Sequence, residues 1–166
     1  MAIRLFAAVR GLVYASGFVL LWWWVVASVR PLDARMVLSI SEWVQVPGLV
    51  IAIFGAAVAL WCIGTFALVG RGTPAPFDAP REFVAVGPYR YVRNPMYLGA
   101  AAVILGAGLM LRSPSAVAVA LFFVALAHVF VRLYEEPTLE QRFGESYLRY
   151  KTSVNRWLPG SPETQE

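Results

Sequence analysis

The chain has 166 residues, 59% of them hydrophobic and only 14% charged, with a net charge of +4 and a mean hydropathy of +0.63. Soluble domains carry about a quarter charged residues, so this composition argues against a soluble enzyme and for the membrane class. With one cysteine, Cys62, and one histidine, His128, an internal disulfide and a structural zinc site are excluded.

Four uncharged stretches follow in chain order, at 11–29, 43–70, 94–111 and 113–131. A spanning helix needs about 20 mostly apolar residues. The first, second and fourth stretches meet this; the third is near the lower limit. The first begins after Arg4 and Arg10, as a secretory signal would, but it is longer than a usual signal core. Trp22, Trp23 and Trp24 near its far end suit an interfacial belt, so a retained helix is expected. Pro31 and Asp33 favour a turn in the short connection to the second stretch. That stretch carries Gly48, Gly55 and Gly64 among alanines, a pattern that lets helices approach closely in lipid.

The segment 71–93 holds four prolines and two glycines and cannot be a continuous helix. It is also long for a connector, and long ordered loops are usually functional. Pro95 suits the first position of the third helix. Arg112-Ser113-Pro114 reads as a tight turn, which makes the third and fourth helices an antiparallel hairpin. Pro137 is expected to kink or stop the fourth helix, and Thr138 to cap a following one with Gln141 as its capping-box partner. Leu139, Phe143, Tyr147 and Tyr150 lie on one stripe of that last helix, opposite its charges.

The expected fold is therefore all-α: a polytopic membrane protein with four transmembrane helices, the last two as a hairpin, plus a C-terminal amphipathic helix. It forms one domain over 1–166, with two membrane helices in 1–70, a core in 71–160 and a loose tail in 161–166. Eleven of the fourteen basic residues fall on one side of this topology and three on the other. The positive-inside rule then puts both termini and the central loop in the cytoplasm, at an inner or plasma membrane. The charge follows topology rather than forming one stripe, so nucleic-acid binding is not expected.

Two groups of residues carry possible chemistry at that cytoplasmic boundary. One is Tyr89, Tyr91, Arg93, Asn94 and Tyr97, around the start of the third helix. The other is His128, Arg132, Glu135 and Glu136, at the end of the fourth, with 128, 132 and 135 on one face by helical spacing. Ionisable residues at membrane depth are costly and mostly face the bundle interior or a wet cavity. Adjacent glutamates point about 100° apart, so at most one faces a given partner squarely. Each group also has a bland reading. The arginines suit topology anchors, the tyrosines a belt, His128 a packed histidine, and Gly106-Ala107-Gly108 ordinary helix packing. No phosphate-binding loop of the Walker type, no Gly-x-Ser-x-Gly elbow and no metal cluster is present in the sequence.

The run Gly87-Pro88-Tyr89-Arg90-Tyr91-Val92-Arg93-Asn94-Pro95-Met96-Tyr97-Leu98-Gly99 is followed in order by Gly106-x-Gly108, Glu135-Glu136-x-x-Leu139, Phe143-Gly144-x-x-Tyr147-x-x-Tyr150 and Val154-x-Arg156 with Pro159. This succession resembles the integral-membrane methyltransferases, a superfamily that includes isoprenylcysteine carboxyl methyltransferases and phosphatidylethanolamine N-methyltransferases. The likeness covers about residues 70 to 160. It implies S-adenosylmethionine as cofactor, and a lipid or lipidated small substrate reaching the site from the bilayer. It makes 71–160 a cofactor-binding methyltransferase core. By position it carries Tyr89, Arg93, Asn94, Pro95 and Tyr97 over as the first cofactor motif, with Gly106, Gly108, Glu135 and Glu136 also tied to the cofactor. Glu135, Glu136, His128 and Arg132 are the candidates for catalysis.

The family usually has His where this chain has Asn94. Asn can hydrogen-bond the cofactor but cannot titrate near neutral pH, so a general base at that position is lost. Carboxyl O-methylation of an isoprenylcysteine-like group is favoured as the named activity closest in family; a carboxylate or thiolate nucleophile needs no base. Phospholipid N-methylation is the enzymatic alternative, in which Glu135, Glu136 or His128 must help remove a proton. A small lipid- or quinone-binding membrane protein without catalysis is the reading from another class. The sequence leaves the oligomeric state open.

Overall fold

The computed structural model describes residues 2–70 and 84–160, with side chains from residue 9 onward. The α-helices among them are α1 (Ala2–Val29), α2 (Gln45–Thr65), α3 (Pro95–Met110), α4 (Pro114–Phe130), α5 (Glu136–Phe143) and α6 (Glu145–Ser153). There is no strand among the described residues. Most of the central loop, 71–83, and the tail 161–166 lie outside them, so the expectations placed on those segments do too.

Three helical segments are long and apolar enough to cross a membrane: Val9–Arg35, Glu42–Val69 and Pro114–Phe143. The third expected span forms α3, a 16-residue apolar helix. At about 1.5 Å per residue it reaches about 24 Å, short of a hydrocarbon core of about 30 Å. The proline at its first turn suits a helix start, as expected.

α3 ends in a one-residue reversal. Arg112 takes φ +51°, the Leu111 amide donates to the Ala107 carbonyl (2.9 Å) and the Ser113 amide to that of Gly108 (2.9 Å). The chain then doubles back as α4. Ser113 Oγ accepts from the Ala116 amide (3.2 Å) and donates to Asp33 Oδ2 (2.5 Å), while the Ser115 amide donates to Asp33 Oδ1 (2.9 Å). Asp33, expected only as a turn former, is thus the anionic cap of α4, placed where orphan amides and the positive end of the helix dipole favour it. Arg112 fastens the same end to the segment before α2, through the Ile40 carbonyl (3.0 Å) and Glu42 (2.9 Å).

Small residues set the α2–α3 contact. A Cβ added at Gly55 would come within 2.5 Å of the Gly99 carbonyl oxygen, and one at Gly106 within 2.5 Å of the Gly48 carbonyl oxygen. The two backbones touch at both points, as the glycine pattern implied for Gly48 and Gly55, whereas a Cβ at Gly64 would meet nothing within 4 Å. α1 leans on α4 instead, with Trp22 and Phe18 edge-on to Phe123 at centroid distances of 5.0 and 5.7 Å.

Two local expectations are corrected and a third is narrowed. Of the kink or stop expected at Pro137, the stop does not occur. The chain passes through a wider π-helical turn, Val131–Glu135, and continues as α5 with Pro137 in its first turn. There the missing amide costs little, and the wide turn gives the ring room. Thr138 is therefore not a cap; its hydroxyl donates back to the Tyr134 carbonyl at 2.6 Å. The C-terminal amphipathic helix is two short ones, because Gly144 takes φ +51° and ψ −128°, a conformation cheap only for glycine, between α5 and α6.

Candidate active site

Antiparallel pairing brings the start of α3 and the end of α4 to one end of the bundle. The turn Gly87–Arg90 precedes α3 there and puts Tyr89 inside, its ring edge-on to Phe66 at 5.1 Å and packed with Cys62 and Val84. Tyr150, from α6, donates its hydroxyl to the Tyr89 carbonyl at 2.6 Å. Burial pushes the Tyr89 and Tyr150 phenols well above their usual range. Tyr89 is therefore an uncharged anchor. Tyr91 and Arg90 are exposed, the guanidinium lying 5.5 Å from the Tyr91 ring.

Glu135 and Glu136 leave the helix in different directions and meet different partners. Glu135 accepts from the Tyr97 hydroxyl, one turn into α3, at 2.8 Å. Among the described residues no cation pairs with it. Glu136, only 4% exposed, is surrounded by cations. Its Oε1 accepts from Arg156 Nε (2.7 Å) and lies 3.3 Å from Arg93 Nη2. Its Oε2 accepts from Arg156 Nη2 (2.8 Å) and lies 3.9 Å from Lys151 Nζ, which also pairs with Glu140. The bidentate bond from Glu136 raises the Arg156 guanidinium above its already high range. Tyr147 sits beside this cluster, and burial, with Glu136 second, pushes its phenol up to about 12.

Arg93 is the most enclosed of these cations, with a side chain 9% exposed. Its Nε and Nη1 are buried and have no acceptor among the described residues. A buried guanidinium donor left unpaired costs more than a neutral one. Asn94 is buried beside it and donates from Nδ2 to the Arg156 carbonyl at 3.3 Å, while the Arg93 amide donates to the Asn155 carbonyl at 2.9 Å. The segment after α6 therefore runs as a strap across the start of α3. Its next residue, Trp157, donates to His128 Nδ1 at 3.1 Å.

The structure thus gathers Arg93, Asn94, Pro95, Tyr97, Glu135 and Glu136 at one end, with Tyr89 supporting them from within. His128 bonds to the strap and to none of the other expected site residues. Arg132 is exposed, within the π turn that separates His128 from Glu135. Gly106 and Gly108 are not at this end. Gly106 faces α2, and a Cβ on Gly108 would come within about 3 Å of Ala116 and Val117 at the start of α4. Along α3 they lie about 16 and 20 Å from Pro95.

Arg156, Asn155, Trp157, Lys151 and Tyr147 were not among the expected site residues. The signals available were the motifs themselves, since Tyr147 and Arg156 stand in the succession that carries the resemblance, and Glu136 adjoins an apolar run where it needs cations.

No curated protein and no solved structure matches the chain. A model of the phospholipid methyltransferase family matches residues 43–146, from just before α2 into α6. That stretch contains α2, the α3–α4 hairpin and both glutamates, which with the three apolar helices fits an integral membrane protein. The chain belongs to the phospholipid methyltransferase family, within the superfamily of membrane methyltransferases.

Proposed function

We propose that the chain is an S-adenosylmethionine-dependent methyltransferase acting on a lipophilic substrate at the cytoplasmic face of the membrane. The observation that carries this is that, among the described residues, Arg93 has two buried donors lacking an acceptor and Glu135 is a carboxylate with no cation. Together they fit the zwitterionic amino-acid end of the cofactor. Arg93 suits its carboxylate and Glu135 its ammonium, each by a charge-assisted hydrogen bond. Asn94 and Pro95 fix the chain beside them, and Tyr97 orients Glu135. When bound, S-adenosylmethionine supplies an electrophilic methyl group on a sulfonium. The protein's own contribution is then to place the acceptor in line with that methyl and keep water out.

Of the acceptors, an isoprenylcysteine-like carboxylate demands least of these residues. It needs no base, Asn94 cannot be one, and His128 is bonded to Trp157 at Nδ1. A phospholipid amine is the second reading, favoured by the description of the matching family and by Glu135, which could receive the proton that an ammonium must lose. The test supplies methyl-labelled cofactor, the protein in vesicles, a total lipid extract and a prenylated cysteine analogue. Label in a base-labile product supports the carboxylate, and label in a base-stable phospholipid headgroup supports the amine. Label in neither, from folded protein, sinks the methyltransferase reading.

A further inference from the structure

The three cations around Glu136 differ in burial. Arg93 is 9% exposed, Arg156 25% and Lys151 36%. Two carboxylates, Glu136 and Glu140, answer them. Among the described residues one positive charge is left over, and the unpaired donors place it on Arg93, the most buried of the three.

Arg156 is the reason it stays there. A guanidinium beside a carboxylate prefers two parallel bonds. Arg156 makes those bonds to both oxygens of Glu136. Arg93 is left with one contact to Glu136, from Nη2 to Oε1 at 3.3 Å. The strap fixes this arrangement, since the carbonyls of Asn155 and Arg156 accept from the Arg93 amide and from Asn94. Without Arg156, both oxygens of Glu136 would be open to Arg93, which would turn its remaining donors onto them.

We infer that Arg156 is a positioning residue for carboxylate recognition: by occupying Glu136 it holds Nε and Nη1 of Arg93 open for the carboxylate of the cofactor. This rests on the S-adenosylmethionine reading above. It separates the two glutamates, Glu136 serving as counter-ion and Glu135 as ligand.

The experiment measures calorimetric affinity for S-adenosylmethionine and for its decarboxylated analogue, in detergent-solubilised wild type, Arg156→Gln and Arg156→Lys. Wild type should prefer the carboxylated ligand by about 10- to 100-fold, the range of one charged hydrogen-bonded contact. Arg156→Gln should cut that preference to about 3-fold or less, with a smaller loss for the decarboxylated ligand. Arg156→Lys, which keeps the charge without the fork, should fall between. An equal loss for both ligands in Arg156→Gln means a merely structural role and overturns the inference. If Arg156→Gln does not fold, the lysine variant decides, and an unchanged preference in it overturns the inference equally. A folded wild type that binds neither ligand refutes the cofactor reading instead, and a wild type that binds both equally refutes the role of Arg93.

Discussion

Glu136→Ala is expected to be the most damaging single change to stability, lowering it by about 3–5 kcal/mol, the cost of removing one partner from a buried ion pair. Glu136 is 4% exposed and is the common acceptor for Arg93 and Arg156, with Lys151 close by. Deleting it leaves Arg93 as a buried cation with no acidic partner among the described residues and frees the strap from α5. A thermal melt of the purified protein should show a drop of many degrees. Limited proteolysis should show cleavage after α5 well before the bundle opens, because α6 and the strap lose the salt bridges at their centre. A melt within a degree or two of wild type would mean that Glu136 does not organise this end of the molecule.

Glu135→Gln should behave in the opposite way. Its only hydrogen-bond partner among the described residues is Tyr97, and an amide can accept from that hydroxyl as well as a carboxylate does. The melt should change little. Cofactor affinity should fall about 10- to 100-fold, the range for losing one charged hydrogen-bonded contact, and by the same factor for the decarboxylated analogue, which keeps the amino group. That equality distinguishes Glu135 from Arg156, whose replacement should discriminate between the two ligands. Titration calorimetry on the variant beside wild type measures it, and unaltered affinity would remove Glu135 from the cofactor's contacts.

These contrasting roles for neighbouring glutamates were partly legible in the sequence. Residues 100° apart on a helix cannot share a partner, and the structure gives one to Tyr97 and the other to a group of cations. The helices were also legible, since long uncharged runs leave little choice of structure and the glycines of α2 predicted close backbones. The C-terminal half of the site was not. Whether Pro137 stops a helix depends on the width of the turn before it, which hydrophobic spacing does not encode. Arg132, within that wide turn, is exposed. Gly144 looked like one more residue in an amphipathic pattern until its left-handed backbone split that pattern in two. Arg156 and Trp157 reach the site only because a strap folds back across α3, a contact more than 60 residues distant in sequence for the Asn94 bond. Gly106 and Gly108 show the reverse: a motif consistent with a cofactor role lies at the far end of the bundle, where it packs helices.

The most direct test is titration of S-adenosylmethionine into detergent-solubilised wild-type protein, with folding verified by a melt in the same buffer. Saturable binding of one cofactor per chain, with a raised melting temperature, is the predicted result. A well-folded protein that shows neither heat of binding nor a thermal shift would contradict the account.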